Sequence, residues 1–146
     1  MKHTLTIFDK FLHSFRELLI YHHDSLEFRA KIYTLPIVAN IGNGDCEFEK
    51  LDDIVEEIYP ESLRRQNALI LTIKEYIQKV HRPNGLGVDE LVFDIERTIR
   101  REKRFADKIN LAHIKILASC TIEKDTILYQ DRIFSYIERL KNRYIN

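Results

Sequence analysis

The chain has 146 residues, 45% of them hydrophobic and 32% charged, a composition typical of a folded domain and not of a disordered segment. Its 23 basic and 23 acidic residues cancel, so net charge gives no reason to expect nucleic-acid binding across the whole surface. No uncharged run approaches the ~20 residues that span a bilayer, and the N-terminus lacks the apolar core of a signal peptide. We therefore predict one cytoplasmic domain over residues 1–146, without a membrane span.

Apolar residues recur at three- and four-residue spacing along nearly the whole chain, which predicts helices. The first predicted helix carries an apolar stripe from Leu5 to Leu19, and the second runs from Asp24 to Ile41. Pro36 should kink or restart this second helix, because proline lacks an amide N–H and clashes with the preceding turn. Gly42 and Gly44 are predicted to end it.

Prolines, glycines and capping residues divide the rest of the chain into five further predicted helices. No segment needs an alternating strand pattern, so the prediction is an all-α, compact bundle of about seven helices. The predicted helices are Asp45 (as cap) to Ile58, Glu61 to about Val80, one begun by Asp89 and closed at Phe105, one begun by Asp107 or Asn110, and one after Lys124.

A helix, a short break and a second helix occur twice, about 79 residues apart. At that offset Leu35 matches Ile114, whereas Leu51 against Gln130 breaks the match. Any two amphipathic helices match at some offset, so chance similarity is one interpretation. The other is a pair of similar helix–loop–helix units packed about a pseudo-twofold axis.

Both copies show an amphipathic helix that ends in a break and continues into an acidic helix start. The first copy spans Ile37 to Glu49 and the second spans Ile116 to Asp125. This layout resembles the TerB-like family, named from tellurite resistance. The resemblance implies a small seven-helix domain built from two helical halves. The family's usual Asp-Gly order is inverted here to Gly44-Asp45, and the second copy has no glycine. These departures argue more against an inherited cation site than against the fold.

Residues 45–57 contain seven acids and a single base, Lys50. Clustered carboxylates suit hard cations such as Ca²⁺ or Mg²⁺, and the candidate ligands are Asp45, Glu47, Glu49 and Asp52. An EF-hand loop is excluded, because Lys50 falls where that loop needs glycine. The alternative is structural: Asp45 caps the helix and the other acids favour its positive end. A docking patch for a partner is a third interpretation.

A basic stripe follows helical spacing at Arg97, Arg100, Arg101 and Arg104. Such a stripe suits phosphates of nucleic acid or lipid, but no interleaved aromatic residues accompany it. Two alternatives are a solvated helix face and a pairing of this stripe with the acidic helix, within the fold or between subunits. Pairing between subunits would produce self-association that weakens with salt.

Catalytic motifs are absent from the sequence: it holds no GxSxG, P-loop, dinucleotide fingerprint or HExxH. Cys46 and Cys120 are predicted to be free thiols, since they form no CxxC pair. His22-His23 is expected to be a solvated helix end, and His113 a boundary residue. We expect a non-enzymatic binding or scaffold module that uses a protein partner or a second copy, with no certain cofactor beyond a divalent cation. Nucleic-acid or anionic-surface binding is the alternative that the sequence favours less.

Overall fold

The computed structural model describes residues 24–40 and 44–144. Over these residues the chain forms six α-helices and one 3-10 helix, and no strand. The first predicted helix, Leu5–Leu19, lies outside the described residues. The prediction of an all-α, compact helical bundle is confirmed. The helices are α1 (Asp24–Ala39), α2 (Asp45–Ile58), α3 (Leu63–His81), α4 (Val88–Arg101), the 3-10 helix (Lys103–Lys108), α5 (Leu111–Ala118) and α6 (Lys124–Tyr144).

Helix α1 is the central element of the bundle. It contacts α3, α4, the 3-10 helix, α5 and α6, and its buried residues point in every direction around the axis, as expected for a helix enclosed by others. Pro36 lies inside α1, so the predicted restart at this proline is wrong. A proline near a helix end removes only one backbone hydrogen bond, which the packing around α1 tolerates.

The other helices bury one stripe each against this centre. Helix α4, for example, buries Leu91, Ile95 and Ile99, while its exposed surface is mainly charged apart from Phe93. Phe28 of α1 stacks on Phe105 of the 3-10 helix with ring centroids 5.3 Å apart. No helix within the described ranges is long and apolar enough to cross a membrane.

Two predicted caps are wrong and one is confirmed. Gly44, not Asp45, precedes α2, and it does so in the left-handed conformation with φ of 85°. Asp45 is the first residue of the helix, where its charge still faces the positive helix end. Gly87 likewise precedes α4, so Asp89 lies in the first turn. Asn110 does cap α5, because its side chain accepts a hydrogen bond from the amide of His113 at 3.2 Å.

The two helix–break–helix units are α1–α2 and α5–α6. Helix α1 packs on both α5 and α6, and α2 packs on α5. Leu35 and its counterpart Ile114 are both buried, and so are Leu51 and Gln130. The pair that breaks the sequence match is therefore buried in both units, although a leucine corresponds to a glutamine at this position.

Candidate functional site

Residues flanking the two predicted breaks are joined by a disulfide and by hydrogen bonds; we call this group, formed by Asn40, Cys46, Glu47, Cys120 and Gln130, the junction. Cys46 lies in the first turn of α2, and Cys120 follows the end of α5. The two residues form a disulfide, with Cα atoms 5.8 Å apart and a sequence separation of 74. The prediction of free thiols is wrong, because the pairing is produced by the packing of α2 on α5 and not by any local sequence spacing.

A chain of side-chain hydrogen bonds runs across the junction beside the disulfide. The amide nitrogen of Gln130 donates to the carbonyl of Pro36 at 2.7 Å and to Asn40 Oδ1 at 2.6 Å. Asn40 in turn donates to Glu47 Oε1 at 3.3 Å and to the carbonyl of Leu117 at 3.2 Å. Asn40 therefore ties together α1, α2, α5 and α6 within a few ångströms.

This hydrogen-bond chain is mostly shielded from solvent. Glu47 is 5% exposed and Gln130 is 4% exposed. Within residues 24–40 and 44–144, Gln130 Oε1 is buried with no hydrogen-bond partner. Burying a carboxylate is costly unless a partner compensates its charge, and Asn40 supplies Glu47 with a neutral donor only.

Glu47 also lies against the disulfide. Cys46 Sγ, Cys120 Sγ and a carboxylate oxygen of Glu47 all lie within 4.8 Å of one another. They are the one set of three or more histidine, cysteine or acidic side chains in the described parts of the chain with that geometry. The sequence had pointed to acids alone as ligands, and it missed the two sulfurs.

The four predicted cation ligands are placed differently from one another. Glu47 is turned inward beside Asn40, and Asp52 is also buried, at 7% exposure. Asp45 and Glu49 are exposed. Only Glu47 belongs to the close group with the two cysteines. A Ca²⁺ or Mg²⁺ site built from all four acids stays a prediction.

The predicted basic residues are distributed over α4 and the 3-10 helix, and three of them form ion pairs. Arg97 pairs with Asp94 of its own helix. Arg100 pairs with Glu96 at 3.0 Å, and Arg104 pairs with Glu102 at 3.1 Å. The fourth, Arg101, is exposed.

The ion pair of Arg100 affects Glu96 directly. Its hydrogen bond to Glu96 lowers the pKa of that carboxyl below its usual value, and a second bond from Tyr136 adds to the effect. The same carboxylate, together with burial, raises the pKa of Tyr136 to about 12, with burial the larger cause. Acidic side chains of the fold thus neutralise much of the positive charge that would otherwise attract a phosphate ligand.

A second buried polar group, which the sequence did not indicate, lies between α1, α2 and α5. His113 is 4% exposed, so its predicted boundary position is wrong. Its Nδ1 lies 2.9 Å from the hydroxyl of Tyr33, and its Nε2 lies 3.2 Å from Glu57. One tautomer satisfies both contacts: Tyr33 donates to Nδ1, and Nε2–H donates to Glu57. Burial raises the pKa of Tyr33, which keeps its hydroxyl protonated as the donor.

Exposed apolar residues concentrate in the stretch of sequence that runs from α5 into α6. Among the described residues, five of the seven exposed large hydrophobic side chains fall between positions 116 and 129, and Ile122 is 95% exposed. Beside them, a groove of about 410 Å³ lies between α5 and α6, and Ile127 and Phe134 contribute to its walls. Lys115 and Asp131 also line this groove, from α5 and α6 respectively.

Comparison of the chain with protein-family models, with curated proteins and with solved structures finds no match. The junction and its groove are therefore interpreted from their own chemistry.

Proposed function

We propose that the chain is a non-enzymatic binding module of TerB-like architecture that docks an amphipathic helix of a protein partner in the groove between α5 and α6. The observation that carries this proposal is the concentration of exposed apolar side chains at positions 116–129. An apolar side chain held in water forgoes about 25 cal/mol for each Å² that a partner would cover. Exposed apolar surface is typical of interaction sites where it adjoins a groove, and Ile127 of this set lines the groove between α5 and α6.

The groove favours a partner of particular chemistry. Ile127 and Phe134 offer apolar contact, and the ammonium of Lys115 lies 4.7 Å from the centre of the Phe134 ring. Asp131 stands on the α6 wall opposite Lys115 on α5. A helix that carries an apolar ridge, an acidic residue facing α5 and a basic residue facing α6 would complement all four side chains.

Within this proposal, the repeated helix–break–helix order supports the TerB-like resemblance, and we place the module in the cytoplasm. Disulfides are uncommon in the reducing cytoplasm, so there the Cys46–Cys120 pair would be present largely as two thiols. The acids of α2 keep their proposed role as a weak Ca²⁺ or Mg²⁺ site. Phosphate binding at the basic stripe is less favoured, since Arg97, Arg100 and Arg104 are paired with acids of the chain.

The test is a selection of displayed amphipathic helical peptides against the folded protein. Peptides enriched on the wild type should lose at least roughly tenfold in affinity for Ile127→Asp, because a charge then occupies the apolar wall. Phe93→Asp is the matched control, because Phe93 is similarly exposed, at 61%, but lies on α4. Amide NMR shifts on binding should map to Ala118, Thr121 and Phe134.

Two outcomes would contradict the proposal. Enriched peptides that bind Ile127→Asp as tightly as the wild type, or that lose affinity on Phe93→Asp instead, would place binding elsewhere. Sedimentation without peptide, at low and high salt, tests the alternative in which a second copy of the chain is the partner. A dimer that Ile127→Asp abolishes would replace the helix partner with self-association.

A further inference from the structure

We propose that Cys46, Cys120 and Glu47, once the disulfide is reduced, form a binding site for a thiophilic divalent cation of the Zn²⁺ class. This site does not depend on the docking groove and differs in chemistry from the four-acid cation site. Two thiolates and one carboxylate form a donor set typical of zinc, whereas Ca²⁺ and Mg²⁺ prefer oxygen ligands alone.

The positions of the three side chains suit one metal ion. Zinc binds thiolate sulfur at about 2.3 Å and carboxylate oxygen at about 2.0–2.2 Å, so tetrahedral geometry separates two sulfurs by about 3.8 Å. The Cα atoms of the two cysteines are 5.8 Å apart, and the donor atoms already lie within 4.8 Å of one another. Side-chain rotation alone would therefore bring the sulfurs to the required separation after the disulfide opens.

The surroundings of Glu47 give a reason for a cation at this position. Its carboxylate is almost fully buried and receives a hydrogen bond from Asn40. Asn40 is itself held by Gln130 and by the carbonyl of Leu117. Hydrogen bonds of this kind orient ligating carboxylates in metal sites, and a bound cation would neutralise a charge that is otherwise costly to bury.

The redox state of the two cysteines decides whether the site is open. A dithiol reductant transfers two electrons to the disulfide, so the S–S bond breaks, two thiols form and the reductant becomes a cyclic disulfide. Metal binding then releases the thiol protons as the two sulfurs become thiolate ligands. In the oxidised protein the sulfurs are bonded to each other and provide no thiolate. Three protein ligands leave a fourth position for water.

Cobalt(II) is the probe for this site, since it replaces zinc and reports thiolate ligation by charge-transfer absorption. Protein reduced with a dithiol, freed of excess reductant and kept under anaerobic conditions, is titrated with CoCl₂. We expect one cobalt per chain with a thiolate charge-transfer band, and full displacement of cobalt by ZnCl₂. The oxidised protein should show no such band. Glu47→Gln should weaken binding at least roughly tenfold, the scale produced by changes around metal ligands.

Two controls separate a ligand role from a structural one. Asp53→Asn removes an exposed acid of the same helix that is neither in the close group nor among the four predicted cation ligands, and it should leave cobalt affinity unchanged. The double variant Cys46→Ser, Cys120→Ser should lose the band while keeping the helical circular dichroism. If that variant does not fold, the oxidised wild type and Glu47→Gln still decide the question. Cobalt bound without a thiolate band, bound equally by oxidised protein, or bound as tightly by Glu47→Gln would overturn the proposal.

Discussion

Loss of the disulfide between Cys46 and Cys120 should destabilise the fold by a large and calculable amount. The crosslink closes a loop with a sequence separation of 74 residues. In the chain-entropy treatment, opening a loop of that length costs about 4 kcal/mol of folding free energy at 25 °C. For a chain of 146 residues, this corresponds to a fall in Tm of roughly 10–15 °C. Set against the net stability of about 5–15 kcal/mol that is typical of a domain, this one bond would supply at least roughly a quarter.

The measurement is urea unfolding of oxidised and reduced protein, followed by circular dichroism with a chelator present. The double variant Cys46→Ser, Cys120→Ser is the control, since reductant should not change its unfolding curve. Peptide mapping without reductant establishes that the two cysteines are joined. A reduced protein less than about 1 kcal/mol weaker than the oxidised one would refute the loop-closure reasoning. A map without the crosslinked peptide would refute the pairing itself.

Three further predictions concern the backbone and the buried polar groups. Gly44→Ala should destabilise the fold by about 1–2 kcal/mol in thermal or urea unfolding, because φ at Gly44 is +85°. Gly87→Ala is the control: an added Cβ there meets nothing within 4 Å, so stability should change by less than about 1 kcal/mol. Equal losses of stability in the two variants would contradict this reasoning. Tyr33→Phe should lower the free energy of unfolding by about 1–3 kcal/mol, because it leaves a buried nitrogen of His113 without its hydrogen-bond partner. An unchanged urea-unfolding curve would show that the hydrogen bond from the Tyr33 hydroxyl contributes nothing to stability. The pKa of Glu96 is lowered in the folded protein, chiefly by the hydrogen bond from Arg100, so Glu96 stabilises the fold above the pKa of an unfolded carboxyl group and this stabilisation is lost as pH falls through its lower folded pKa. The stability of Glu96→Gln should therefore fall less on acidification than that of the wild type. Identical pH profiles of stability would contradict this linkage.

The helices were predictable because their information is local. Apolar spacing identifies α2 to α6 and their inward faces, since a helix repeats every 3.6 residues. The cap at Asn110 was also predictable, because an asparagine at that position satisfies free amides of the first turn. The cap at α2 was not predictable in the same way. The glycines were assigned to end the preceding helix, and apolar spacing does not reveal that Gly44 adopts the left-handed conformation at the start of α2.

The junction could not be predicted because its parts come from four distant segments. Glu47 looks like one more acid on a solvated face until Asn40 and Cys120 are placed beside it. Gln130 looks like an error in an apolar stripe until the carbonyl of Pro36, 94 residues away, accepts its amide proton. Polar residues at inward positions are satisfied by tertiary partners, and one sequence without its fold does not reveal those partners.

The central position of α1 has a consequence for synthesis on the ribosome. This helix is made before two of the helices that enclose it, α5 and α6. A nascent chain that ends before Lys124 cannot shield the side of α1 that α6 covers, including the backbone around Pro36 that Gln130 will bind. The incomplete chain would present apolar surface to solvent until α6 is made, which makes it a client for chaperones that hold unfinished proteins. The bundle would then close only when α6 has been made and packs over α1.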